Sequence, residues 1–197
     1  MGRRVERRHV SSAHLDADES AQEAPTTPAD ARTVILHGEV NEQSISHVIT
    51  QLICLANQNH EPIYLVLSTY GGAADEMMSL YDVIKFLPCE IRTIALGKVM
   101  SAGILLLAAG EKGHRLIGRS ARLMIHPAAG AIQGNVYELV AEVNEMKRVQ
   151  DLMVTSLKRE TKMSDKDLKA IMQVGHDYYL TPEQAVRLGI VDKIIGA

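Results

Sequence analysis

From residue 32 onward the chain alternates between two patterns. Short runs of consecutive apolar residues give way to stretches where apolar positions recur at i, i+3, i+4 and i+7. The first pattern suits a strand buried in a sheet, the second one face of an α-helix. "RTVILHG" reads as a strand ending at Gly38, and Asn41 then stands as a helix N-cap ahead of Ile45, Val48, Ile49 and Leu52. "IYLVLS" (63–68) is a second strand. "YGG" (70–72) turns the chain into a helix with Met77, Leu80, Tyr81 and Ile84 on one face, ended by Pro88. "IRTIALG" (91–97) is a third strand, and a tight "GKVM" connection leads into a short, almost wholly apolar helix at Ser101–Ala108. "HRLIG" and "ARLMIH" are short strands, and a loop with Gly130 and Gly134 precedes a long helix over about 135–161. Ser164 caps a further helix. Thr181-Pro182-Glu183-Gln184 is a capping box with proline in the first turn, and "GIVDKII" closes the chain as a strand.

Strand–helix–strand repetition with right-handed crossovers predicts an α/β domain with mostly parallel strands over residues 32–197. Residues 1–31 break the pattern. "RRVERR" and "DADESAQEAPTTPAD" hold almost nothing apolar to bury, which predicts a disordered N-terminal tail or a propeptide.

Composition narrows the function classes. The 197 residues are 46% hydrophobic and 23% charged, the balance of an ordinary soluble domain. A net charge of −3 gives no general attraction to nucleic acid or anionic membrane, and no apolar run reaches membrane-spanning length. Aromatics are 4% with no tryptophan, which argues against stacking platforms for bases or sugars. Cys54 and Cys89 fit no metal knuckle or disulfide framework, and read as reduced thiols in a cytosol-like compartment. GxGxxG and Walker A motifs are both missing, so no nucleotide cofactor is indicated, and no metal set is evident.

Four features could carry chemistry. Ser101 opens a helix, where its hydroxyl sits near unpaired backbone N–H groups suited to acyl transfer; a serine there is also an ordinary N-cap. Gly71-Gly72 lets the backbone turn tightly and present N–H groups to a ligand, or is a plain strand-to-helix turn. His126 ends an apolar strand beside a loop, a suitable place for a general base, although the chain has eight histidines. Asp177 in "GHDYYL" could orient an imidazole, with Asp192 in "IVDK" competing for that role.

At these residues the chain resembles the Clp protease proteolytic subunit (ClpP) family, as a divergent member. The resemblance covers about residues 32–195 and rests on "YGG" with "MSLYDVIKF", "ALGKVMSAGILLLAAG", "RLMIHPAAGAIQG" and "DYYLTPEQAVRLGIVDKI". Gly71 precedes Ser101 by thirty residues and His126 follows it by twenty-five, as in the family. The resemblance implies a ClpP/crotonase-like spiral of β-α-β units with a protruding handle helix (about 127–160). It implies a Ser101–His126–Asp177 triad, an oxyanion hole at the Gly72 and Ala102 N–H groups, and Asp192 in a structural position. It further implies a serine endopeptidase without cofactor, assembled with itself in a heptameric ring, alone or stacked as a tetradecamer. That ring degrades unfolded polypeptide fed by a hexameric AAA+ unfoldase docked at Tyr64, Val66 and Phe86, in the cytoplasm or an organellar equivalent. An alternative is a non-catalytic or weakly active ring subunit assembling with an active homologue. An acyl-CoA enzyme of the crotonase superfold is a third class, one that needs no such triad. Departures from the family pattern are "STYGG" for Ser-Pro-Gly-Gly, Ala102 for methionine, "HPA" for "HQP", His176 for arginine, and Val66 for an aromatic.

Overall fold

The computed structural model describes residues 32–173 and 175–196; the predicted tail at 1–31 lies outside them. In chain order the elements are β1 (Thr33–Val40), α1 (Glu42–Gln58), β2 (Ile63–Gly72), α2 (Ala74–Phe86), β3 (Ile91–Met100), α3 (Ala102–Ala108), β4 (Leu116–Ile117), β5 (Arg122–Ile125), α4 (Val136–Glu160), α5 (Asp165–Gln173), β6 (Tyr178–Leu180), α6 (Pro182–Arg187) and β7 (Lys193–Ile194). The seven strands form one mixed sheet, β1-β2-β3-β4-β7, with β5 joined to β3 and β6 to β5. Every pairing is parallel except β5 with β6, as the βαβ repetition in the sequence requires.

Strand β3 is the branch point. Its first half pairs with β4 through Ile94 and Ala95, its second half with β5 through Lys98–Met100. The switch falls at Gly97, where φ is +66° and the register against β2 slips. Thus "GKVM" is not a connection after the strand, as the glycine suggested, but its bent continuation up to Ser101. Strand β2 likewise runs on through Gly72 rather than stopping at residue 68.

One face of β1–β3 buries Val34, Leu36, Leu65, Leu67, Ile91 and Ala95 against the helices. All seven residues of α3 are buried, so this helix is a core element and needs no polar face. Asn41 and Thr181 form capping boxes with Ser44 and Gln184, which fixes the starts of α1 and α6. Cys54 is exposed on α1, and Cys89 is buried in the bend after α2.

The 25-residue α4 is amphipathic only near its end: Met153, Ser156, Leu157 and Glu160 are buried, and nothing before Met153 is. Val136, Tyr137, Val140 and Val143 are exposed apolar residues on its free part. At its base Glu160 accepts hydrogen bonds from the Tyr81 hydroxyl (2.8 Å) and the Lys85 ammonium (2.9 Å). Burial, followed by the hydrogen bond to Glu160, pushes the Tyr81 hydroxyl above the usual phenol range.

Candidate active site

Ser101 lies one residue past the end of β3, and His126 one residue past the end of the neighbouring β5. Side chains that leave adjacent parallel strands at their carboxyl ends converge outside the sheet, where α/β proteins form their sites. The Ser101 N–H donates to the Met124 carbonyl at 2.8 Å and locks the two strand ends together. Across this junction His126 Nε2 stands 2.8 Å from Ser101 Oγ. Both side chains are half-buried.

Ser101 is the one non-glycine residue with positive φ among the described residues, at φ +53° and ψ −120°. This strained conformation turns the chain from strand to helix at a single residue. Its hydroxyl makes no capping bond to α3. The N-cap explanation for a serine at this position therefore fails, and the hydroxyl goes to the imidazole instead.

Gly71 and Gly72 lie against this turn. A Cβ on Gly71, at φ +97°, would come within 2.6 Å of the Ser101 Cβ and 2.9 Å of the Met100 carbonyl oxygen. Only glycine combines that φ with that contact. Ala102 is the first residue of α3, where an N–H has no partner within its helix. Gly72 and Ala102 both line a cleft of about 240 Å³ beside Ser101 and His126, whose lining also includes Met77, Val149, Gln150 and Met153. A second, more open cleft is lined by the same Ser–His pair together with Glu39 and Tyr70.

Strand β6 was not evident in the sequence, and it bears directly on the aspartate. In the antiparallel pair β5–β6, Leu123 faces Leu180, Met124 faces Tyr179 and Ile125 faces Tyr178. The pairing ends there, and His126 and Asp177 are the next residue beyond it on each strand. Asp177 is exposed, and its Oδ2 accepts from the Tyr179 hydroxyl at 3.3 Å; no hydrogen bond joins it to His126. His176 donates from Nδ1 to the Asp177 carbonyl at 2.9 Å.

Asp192, the competing carboxylate, is fully engaged elsewhere. It accepts from Arg115 Nε, Nη2 and backbone N–H and from the Gly113 N–H, at 2.7–3.0 Å. Burial pushes this carboxyl up, but the Arg115 hydrogen bonds and charge outweigh burial and hold it at about 2. Arg115 also donates to the Ala108 and Glu160 carbonyls, so the pair ties β4, α3 and α4 together.

Tyr64 and Val66 point to the face of β2 opposite the core, beside Arg92 and Ile94. Arg92 lies 5.9 Å from the Tyr64 ring centre. Phe86 ends α2 and is 84% exposed. Among the described residues, no group of three His, Cys, Asp or Glu could hold a metal ion, and no helix is long and apolar enough to cross a membrane.

Fold and site together define a mixed α/β protein with a hydroxyl–imidazole pair at the carboxyl ends of two parallel strands. A family model described as Clp protease matches residues 17–197. The chain is 32% identical over 165 residues to the ATP-dependent Clp protease proteolytic subunit of Borreliella afzelii, spanning 83% of each protein. It is likewise 32% identical to the proteolytic subunit 1 of Borreliella burgdorferi (83% of this chain, 84% of the relative). Against the Deinococcus radiodurans subunit it is 29% identical, over 83% of this chain and 80% of the relative. The chain therefore belongs to the Clp protease family, and its mostly parallel α/β sheet is consistent with that fold.

Proposed function

We propose that the chain is a serine endopeptidase, the proteolytic subunit of a ring-shaped, ATP-dependent Clp complex. The observation that carries this reading is the 2.8 Å approach of His126 Nε2 to a Ser101 hydroxyl that caps no helix. In the proposed mechanism the neutral imidazole takes the hydroxyl proton as Ser101 Oγ attacks the peptide carbonyl. The N–H groups of Gly72 and Ala102 receive the oxyanion. The imidazolium then protonates the leaving amine, and water releases the acyl group from Ser101 by the reverse proton path.

Asp177 completes the triad by accepting from His126 Nδ1–H, which fixes the tautomer with Nε2 free to act as base. The register of β5 with β6 supports this choice, and the four hydrogen bonds on Asp192 argue against the alternative. In this mechanism the Asp177 carboxylate exchanges the Tyr179 hydroxyl for the imidazole N–H.

The exposed apolar residues on the first turns of α4 support its use as the handle on which heptameric rings stack in pairs. Residues 1–31 serve as a tail or propeptide to the peptidase domain at 32–197. A hexameric AAA+ unfoldase docks on Tyr64, Val66 and Phe86 and feeds unfolded polypeptide to the ring, in the cytoplasm. The relatives' name, ATP-dependent Clp protease proteolytic subunit, supports such a partner.

A weakly active subunit that needs an active homologue is the second reading, favoured by the contact of Asp177 with Tyr179 in place of His126. Size measurement combined with peptide cleavage separates the two. The leading reading expects a homomeric ring that cleaves unstructured peptides and loses this activity in Ser101→Ala. An intact homomeric ring with no peptidase activity, restored by adding an active homologue, establishes the second reading instead.

A further inference from the structure

The Ser101–His126 pair is entered by two clefts that share only this pair and Gly72, and their walls differ in kind. The first is mostly apolar, walled by Met77, Val149 and Met153 with Gln150 between them. The second, about 510 Å³, is lined besides the reacting pair by three glycines, Glu39 and Tyr70. Tyr70 is 64% exposed, yet it is not a loose side chain, because Lys98 Nζ stands 4.4 Å from its ring centre. Lys98 is not one of the residues that line the cleft; its ammonium holds the Tyr70 ring by a cation–π contact. The Glu39 carboxylate has no hydrogen-bonding or ion-pair partner among the described residues, although its backbone is tied down by the Ser44 hydroxyl on its carbonyl.

We infer that this second cleft is a specificity subsite for a long basic side chain, arginine or lysine, of the polypeptide substrate. An aliphatic stem lies along the Tyr70 ring while its cationic head meets Glu39. An acidic side chain meets the Glu39 carboxylate and is repelled. A peptide across Ser101 therefore sets an apolar residue in the Met77–Met153 cleft on one side of the scissile bond, and a basic residue against Glu39 on the other. Tyr70 and Glu39 act here as specificity residues, touching substrate but no reacting atom.

This inference rests on the serine peptidase reading, and its test keeps the two apart. Peptides with an apolar residue held on one flank of the cleaved bond are varied on the other flank among arginine, alanine and glutamate. The readout is the ratio of kcat/KM between arginine and glutamate peptides within each variant, which cancels any general loss of activity. The wild-type ring is expected to favour arginine by about tenfold, with the preference reversed in Glu39→Lys and the arginine-over-alanine advantage lost in Tyr70→Ala. A wild-type ring that cleaves all three equally, or a Glu39→Lys ring with the wild-type ratio, overturns the subsite and leaves the peptidase reading standing. Absence of cleavage, together with no labelling of Ser101 by a fluorophosphonate, overturns both.

Discussion

His126 Nε2 lies 2.8 Å from Ser101 Oγ, although the two residues are 25 apart in the chain. Parallel pairing of β3 with β5 brings them together, since each sits one residue beyond its strand. The contact is therefore a product of sheet register. Changes that disturb the strand ends should act on it as strongly as changes to the two side chains.

Gly71→Ala is the most direct such disturbance. The new methyl falls 2.6 Å from the Ser101 Cβ, on a backbone at φ +97° that alanine rarely adopts. The expected cost is about 2 kcal/mol or more, with a melting temperature lowered by roughly 5 °C. Peptidase activity should fall further than the stability change explains, because the collision is with Ser101, the proposed nucleophile. Thermal unfolding and a peptide assay well below the melting temperature check both parts.

The two candidate aspartates should separate by kind of effect. Asp177→Asn is expected to lower kcat by about 10³-fold or more while leaving the melting temperature near wild type. Asp192→Ala leaves the Arg115 guanidinium, whose side chain is only 4% exposed, without its counter-charge, and should cost about 3 kcal/mol of stability. Loss of kcat in assembled Asp192→Ala protein, with normal turnover in Asp177→Asn, would reverse the assignment.

Asp192 also sets an acid limit. Its carboxyl is held at about 2 in the folded chain, below the ordinary value of 3.8. A group depressed by folding stabilises the protein above its unfolded value and loses that contribution as pH falls toward its folded value. Up to about 2 kcal/mol should therefore disappear between roughly pH 4 and pH 2. Denaturant unfolding across this range should show a smaller acid loss in Asp192→Asn than in wild type.

The base of α4 offers a further check. Glu160 holds both Tyr81 and Lys85, and its side chain is 4% exposed. Glu160→Ala leaves the Tyr81 hydroxyl and the Lys85 ammonium without that carboxylate, and should cost about 2–3 kcal/mol. Hydrogen exchange should then show faster opening of the last turns of α4 than of β1–β3.

Much of this arrangement was legible in the chain, for identifiable reasons. Asn41 and Thr181 announce helix starts because capping is local chemistry, and the apolar runs of β1–β3 announce a sheet covered by helices. Ser101 was legible as a residue at a helix start, but not as one whose hydroxyl declines the cap, because that depends on a backbone turn set by Gly71 and by the Met124 carbonyl. Strand β6 escaped because three residues carry no periodicity of their own and pair only once β5 is in place. The bend at Gly97 escaped for a similar reason. A glycine after an apolar run looks like an end, and only the change of neighbour from β4 to β5 shows it as a continuation. Glu39 and Tyr70 could not be joined by any sequence spacing, since they come from the ends of two strands that meet only in the sheet.

The account stands most directly on the chemistry of one hydroxyl. Incubating the assembled protein with a fluorophosphonate, then locating the adduct by peptide mass spectrometry, reads it without assumptions about partner or substrate. The expected result is one adduct per chain on Ser101, slowed strongly by His126→Ala and absent in Ser101→Ala. Assembled protein in which Ser101 stays unmodified, or labels as fast without His126 as with it, would contradict the serine peptidase reading.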